Sequence, residues 1–140
     1  MKKYMRRFDD FKHDGMTMDM VDLKAIKEAG GIIFLDEDER FLIWLLPMLP
    51  FTYTVDWMAD KHDSIGSVLK FVKFVNKSLQ DVKENYDIIK LVGMTPEYNK
   101  PALKMAEHMG FKQEGKITKC FIKNNMIYDI IITGLNLEVK

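Results

Sequence analysis

One stretch of the chain, NKPALKMAEHMGFKQEG from Asn99 to Gly115, specifies both ends of a helix. Asn99 is a favourable N-cap, because its side-chain oxygen can accept a hydrogen bond from a free amide of the first turn. Pro101 is tolerated in that turn, since the N–H that it lacks would have no intrahelical partner. Gly110 supplies a left-handed stop, after which Phe111 can fold back onto the apolar side of the helix. The stretch therefore predicts a short amphipathic helix.

Apolar blocks on both sides of this helix predict strands. They are expected at GIIFL, RFLIWLL, FTYTVDWM and DIIKLVGM, with a closing hairpin at 116–123 and 126–133. The hairpin turn is predicted at Asn124 and Asn125, because asparagine accepts positive φ. Pro47 and Pro50 interrupt the pattern, and since proline cannot donate in a sheet ladder they indicate an edge, a bulge or a crossing loop.

Two further helices are predicted from caps and apolar spacing. The longer helix follows Ser64 as N-cap and carries an apolar stripe that repeats at three and four as far as Val82. The other helix begins at Thr17 as N-cap and ends at Gly30.

Composition limits the class of protein. With 140 residues, 47% of them hydrophobic and 30% charged, the chain is typical of one soluble globular domain, 1–140. Basic and acidic residues both number 21, which favours neither nucleic acid nor an anionic membrane as partner. The single Cys120, interpreted as a core thiol, indicates a reducing, cytoplasmic location. The acidic turn Asp36–Glu39 lacks the glycine and distal glutamate of a calcium loop, so we predict no metal site.

The capped helix also carries a family resemblance. Within 99–115, the residues NxxAL, AEHMGF and EG resemble the fourth-helix segment of the GNAT superfamily of acyl-CoA N-acyltransferases. The branch that it resembles most is the ribosomal-protein N-acetyltransferase type, and NNMIYDIIITGLNL is similar to the closing hairpin of that branch. The resemblance is good over Ile88–Leu137 and partial over Trp57–Tyr86. It implies acetyl-CoA as cofactor and an amine, in that branch a protein amine, as acceptor.

The predicted order of elements matches the GNAT arrangement from its first helices onward. We therefore expect an α/β fold with a mixed, mostly antiparallel central sheet and helices on both faces. A well-specified helix follows each of FTYTVDWM and DIIKLVGM, and these two strands should be splayed neighbours in the sheet. Either Lys2–Phe8 forms the usual opening strand, or the sheet is one strand short.

The resemblance also implies where a cofactor would bind. GNAT enzymes hold the CoA pyrophosphate at the N-terminus of a helix, where backbone amides converge on the anion. Their pattern, Gln/Arg-x-x-Gly-x-Gly/Ala, aligns with Lys61–Gly66: Lys61 occupies the basic position, Ser64 replaces the first glycine and Gly66 is retained. The implied cofactor-binding residues are Lys61, Ser64, Ile65 and Gly66 at the pyrophosphate, and Leu91, Gly93 and Asn99 at the pantetheine arm.

Acyl transfer to an amine needs a base for the amine and a proton donor for the leaving thiolate. Many GNAT enzymes place a tyrosine donor seven residues after the capping asparagine, where this chain has Ala106. The remaining candidates lie in or after FTYTVDWM. Asp56 or Asp60 could act as the base, and Tyr53 or His62 could shuttle a proton.

These departures leave a second hypothesis open, a GNAT-like domain that does not catalyse. Such a domain would serve as a binding or structural module, for instance as a virion component of a phage particle, since fold and function are separable. The apolar stretch Trp44–Phe51 would then be an interaction surface for a homo- or hetero-oligomer.

Overall fold

The computed structural model describes residues 22–37, 41–59 and 65–137. Its helices are α1 (Leu23–Glu28), α2 (Ile65–Asn85) and α3 (Lys100–His108), and its strands are β1 (Ile32–Leu35), β2 (Phe41–Leu49), β3 (Thr52–Ala59), β4 (Lys90–Pro96), β5 (Lys112–Lys123) and β6 (Met126–Asn136). The predicted helix start at Thr17 and the alternative opening strand Lys2–Phe8 lie outside the described residues. Within these, no helix is long and apolar enough to cross a bilayer.

The strands form one mixed sheet with the order β1-β2-β3-β4-β6-β5. Neighbouring strands run antiparallel except for β3 and β4, which are parallel. The predicted fold class is therefore confirmed, and so is the expectation that FTYTVDWM and DIIKLVGM lie side by side.

Helices cover both faces of the sheet, as predicted. Because side chains alternate along a strand, Phe41, Ile43 and Leu45 of β2 join the core beneath α2, whereas Leu42 and Trp44 join a separate core with Ile26 of α1. The ring centroids of Phe41 and Phe71 lie 5.3 Å apart in an edge-on contact. This arrangement buries β2 on both faces and makes it the centre of the N-terminal half of the sheet.

Helix α1 is capped by Asp22. The N–H of Ala25 donates to the Asp22 side chain at 3.0 Å, and the helix begins at Leu23. After the helix, the backbone at Gly31 packs closely against the backbone of Ile26. A Cβ atom there would lie 2.6 Å from the carbonyl oxygen of Ile26, which leaves space for glycine alone.

The proline-containing turn between β2 and β3 corrects one expectation. The register shifts between Pro47 and Leu49, which is the bulge that the prolines indicated. Trp44 is buried in the core, so the proposed interaction surface Trp44–Phe51 is wrong in its first part. Only its end, with Met48, Leu49 and Phe51, presents exposed apolar side chains.

The closing hairpin has the predicted turn, since Asn124 and Asn125 have φ values of 51° and 62°. Its first strand is longer than predicted and forms the edge of the sheet. The register of β5 shifts between Ile117 and Phe121, where the Lys119 N–H donates to the Asp129 carboxylate at 2.8 Å. Cys120 lies in this irregular edge segment and is exposed, which corrects its interpretation as a core thiol.

Candidate active site

A cleft opens where the two parallel strands separate. Pairing between β3 and β4 covers only Thr52–Thr54 against Lys90–Val92, and beyond these residues the strands diverge. The cleft encloses about 160 Å³ between them. Its lining comes from both strands, from α3 and from the hairpin: Val55, Asp56, Trp57, Gly93, Met94, Thr95, Pro96, Ala102, Ala106, Phe111, Phe121, Ile130 and Thr133.

Among the described residues that line the cleft, Asp56 is the one with an ionisable side chain. Because β3 side chains alternate, Asp56 lies on the opposite face from Val55 and Trp57, which join the core under α2. Burial among apolar groups disfavours the charged carboxylate and raises the pKa of Asp56 from 3.8 to about 6. The group is therefore mostly ionised at pH 7 and can still accept a proton at moderate cost.

Helix α3 closes the cleft from one side. The N–H of Ala102 donates to the Asn99 side chain at 3.3 Å, and Gly110 has a φ of 97°, so the predicted cap and stop are both confirmed. Ala102 and Ala106 face the cleft and present only methyl groups. The wall formed by α3 is thus apolar, and it lacks the hydroxyl that a tyrosine at position 106 would bring.

On β6 the cleft meets a buried hydroxyl. Thr133 is 6% exposed, and its Oγ1 has no hydrogen-bond partner among the described residues. Its cross-strand neighbour is Gly93 of β4. A Cβ atom on Gly93 would lie 2.8 Å from Thr133 Oγ1, so glycine is the residue that fits directly beside the buried hydroxyl.

The structure brings together only some of the predicted site residues. Asp56 and Gly93 line the cleft, and Asn99 caps the helix that closes it. Tyr53 packs against the core and is not among the residues that line the cleft, so its role as a proton shuttle stays a prediction. Leu91 is fully buried and has strand neighbours on both sides, Tyr53 and Leu135, and its contact with the pantetheine arm stays a prediction.

The predicted phosphate loop is described only at its end. Asp60, Lys61 and Ser64 lie outside the described residues. Ile65 is the first residue of α2 and Gly66 the second, so the helix begins directly after the predicted N-cap.

Sequence reasoning missed Thr133 and Trp57. Both lie in apolar blocks that predict strands, and nothing local distinguishes a strand residue that faces a cleft from one that faces the core. A weak signal existed at Thr133, which is a polar residue inside the run IIITGL.

No protein-family model matches the sequence, and no curated protein matches it. Solved structures share its fold. A chimera of the spermidine N-acetyltransferase SpeG from Vibrio cholerae and hSSAT superposes with a TM-score of 0.71 and 14% identity, over 97% of this chain and 91% of that chain. The structure of smu.2055 from Streptococcus mutans UA159 superposes with a TM-score of 0.70 and 14% identity, over 99% and 96%.

The structure of yncA from Salmonella typhimurium, solved with its cofactor acetyl-CoA, gives a TM-score of 0.68 at 12% identity, over 84% of this chain and 70% of that chain. Because the sequence identities are only 12–14%, the likeness to these proteins is one of fold. The chain therefore has the fold of the GNAT-type acetyltransferases.

Proposed function

We propose that this protein is an acetyl-CoA-dependent N-acetyltransferase that transfers the acetyl group to an amine. The observation that carries the proposal is Asp56, an ionisable group with a raised pKa in a mostly apolar cleft between splayed parallel strands. Perturbed ionisable groups in clefts are favoured candidates for catalytic acids and bases. The solved neighbour yncA, which contains acetyl-CoA, supports the choice of cofactor.

The geometry of β4 supports a binding mode for the pantetheine arm. From Gly93 onward, β4 pairs with β6 on one side and has no partner on the β3 side within the described residues. The backbone groups on this free edge can hydrogen-bond an extended ligand in the manner of an added strand. Acetyl-CoA has amide groups in its pantetheine arm that suit such an edge, and the apolar walls suit its acyl end.

The chemistry assigned to Asp56 is that of a general base. An amine that enters the cleft as an ammonium ion must lose a proton before it can attack the thioester carbon. A carboxylate with a pKa near 6 accepts that proton, directly or through one water, more readily than an exposed aspartate would. Asp60 stays a proposed alternative base.

The pyrophosphate site belongs to the same proposal. Lys61, Ser64, Ile65 and Gly66 would hold the diphosphate at the N-terminus of α2, where the helix dipole favours an anion. We propose an amine as the acceptor and, more specifically, an amine of a protein. We propose a cytoplasmic location.

The proposal is tested first by binding. A ligand that binds only the native state raises the thermal midpoint by mass action, so acetyl-CoA at millimolar concentration should raise the melting temperature of the wild-type protein. Turnover is then followed as release of free CoA thiol, with spermidine, phenethylamine and a peptide with a free α-amine as acceptor probes.

Asp56→Asn should keep the thermal shift with acetyl-CoA but lose turnover by about 10²–10⁴-fold, the range of a general base. Asp87→Asn is the matched control, since Asp87 is an exposed carboxylate before β4 and outside the cleft lining. An unchanged melting temperature of the wild-type protein with acetyl-CoA would refute the proposal.

A second function, that of a binding module without catalysis, is favoured by the apolar tip of the β2–β3 turn. Met48, Leu49 and Phe51 are 52%, 60% and 57% exposed, and Phe51 has a φ of 67°, which is unusual for this residue type. Such a patch would suit contact with another protein, in a phage particle or another assembly. Light scattering of the wild-type protein and of Leu49→Ser would test it, because loss of an oligomer in the variant supports an interface there.

A further inference from the structure

The unpartnered hydroxyl of Thr133 is unexplained by the fold alone. A buried polar atom without a hydrogen bond destabilises the protein, and valine has the same shape as threonine without that atom. Thr133 Oγ1 is such an atom, since Thr133 is 6% exposed and the hydroxyl has no partner among the described residues. Groups of this kind in native proteins call for an explanation, and a catalytic role is one of them.

Two further observations concern the position of this hydroxyl beside the cleft. Thr133 lines the cleft between β3 and β4. The neighbouring position on β4 is Gly93, where a Cβ atom would come within 2.8 Å of Thr133 Oγ1. A larger residue on β4 would crowd the hydroxyl, so glycine is the residue that lets β4 pack directly against it.

The other side chains of the described lining provide no buried hydrogen-bond donor. Asp56, once ionised, can only accept hydrogen bonds. Helix α3 contributes methyl groups from Ala102 and Ala106. The described lining has one other hydroxyl, on Thr95, and that side chain is only half-buried. Thr133 is therefore the desolvated donor, and a hydrogen bond is strongest where water is excluded.

We propose that Thr133 is a catalytic residue whose hydroxyl donates a hydrogen bond to the thioester sulfur as it leaves. The inference rests on the proposed acetyltransferase function. The amine nitrogen bonds to the acyl carbon and the C–S bond breaks, with its electron pair moving to sulfur. The proton that Asp56 took from the ammonium ion has passed to solvent before the attack. Asp56 then accepts the second proton, which the nitrogen loses as the amide forms, and CoA leaves as a thiolate that is later protonated by solvent. Thr133 keeps its proton throughout and stabilises the negative charge on sulfur.

The test compares Thr133→Val with Thr133→Ser and with a matched control. Thr133→Val should fold with an unchanged or raised melting temperature, because it removes an unsatisfied buried group. Its KM for acetyl-CoA should be unchanged, while kcat falls about 10–100-fold, the size expected for a hydrogen bond to a charged atom. Thr133→Ser should restore most of kcat.

Thr54→Val is the matched control, since the Thr54 hydroxyl donates to the Leu46 carbonyl oxygen at 3.4 Å and lies outside the cleft lining. This variant should lose stability and keep kcat. The opposite pattern, in which Thr133→Val loses stability and keeps kcat, would show that Thr133 is structural and would overturn the inference.

A second measurement uses bound CoA alone and needs no acceptor amine. The ultraviolet absorbance of the thiolate of bound CoA, followed against pH, reports the pKa of the thiol. A hydrogen bond from Thr133 should lower that pKa, so the thiolate fraction below the pKa should be about tenfold smaller in Thr133→Val. Equal thiol pKa values in the two proteins would refute the inference while leaving the proposed function intact. Absence of CoA binding by the wild-type protein would refute both.

Discussion

Replacement of Asp56 by asparagine should stabilise the protein while it removes activity. Burial raises the pKa of Asp56 from 3.8 to about 6, and each pKa unit corresponds to about 1.4 kcal/mol. The ionised carboxylate therefore costs the folded state about 3 kcal/mol at neutral pH. This is an upper value, because part of the Asp56 surface remains in contact with solvent. The amide of an asparagine carries no charge at any pH, so Asp56→Asn should recover about 1–3 kcal/mol of unfolding free energy.

The sign of this effect depends on pH. Below pH 3.8 Asp56 is protonated in both the folded and the unfolded protein, so ionisation costs nothing and the variant gains nothing. As pH rises through about 6, the folded protein loses the stabilisation that its protonated Asp56 supplied, and the gain of the variant grows to its full value. At pH 5 the gain should be about half of that at pH 8.

Urea denaturation followed by tryptophan fluorescence measures this difference directly. At pH 8 the variant should also melt about 3–10 °C above the wild-type protein, at roughly 3 °C per kcal/mol for a chain of this length. Asp87→Asn, at an exposed carboxylate, should show neither the gain nor its pH dependence. If Asp56→Asn is equally or less stable than the wild-type protein at pH 8, or if its gain is the same at pH 5, the reasoning about burial is refuted.

Four other outcomes are expected. The value of log kcat/KM should fall by about one per pH unit below pH 6, as Asp56 becomes protonated, and a flat profile down to pH 5 would exclude it as the base. Gly31→Ala should lower the unfolding free energy by about 1–3 kcal/mol in urea denaturation, because its Cβ would press on the Ile26 carbonyl. Asn99→Ala should cost about 1 kcal/mol through loss of the helix cap, with a cost near zero contradicting the role of the cap. Ala106→Phe should fill the cleft and abolish the thermal shift with acetyl-CoA, and a retained shift would place the ligand elsewhere.

The parts of the fold that could be predicted are those with local causes. The cap at Asn99, the stop at Gly110 and the turn at Asn124-Asn125 depend on residues that adopt or accept a particular backbone conformation within a few positions. All of these are present in the structure.

The site could be predicted only in part because a cleft is made by tertiary contacts. Asp56 was one of several candidates along one stretch, and only the separation of β3 from β4 distinguishes it from Tyr53. The position of Thr133 opposite Gly93 depends on the register of β6 against β4. The exposure of Cys120 could not be predicted for the same reason, because an apolar segment at the edge of a sheet has the same sequence pattern as an apolar segment in the core.

The short parallel contact at Thr52–Thr54 divides the sheet into two halves that are each built from antiparallel neighbours. The N-terminal half forms from pairings close in sequence. The seam forms only after the chain has passed through all of α2, and β4 pairs with β6 only after the chain has passed through α3 and β5. The backbone hydrogen bonds along the seam are few, so amide protons beside it should exchange with solvent through smaller openings than those in the middle of either half. A ligand that spans the cleft would touch both halves at once and tie them together, so its binding should slow hydrogen exchange on the far side of the seam as well as at the contact itself.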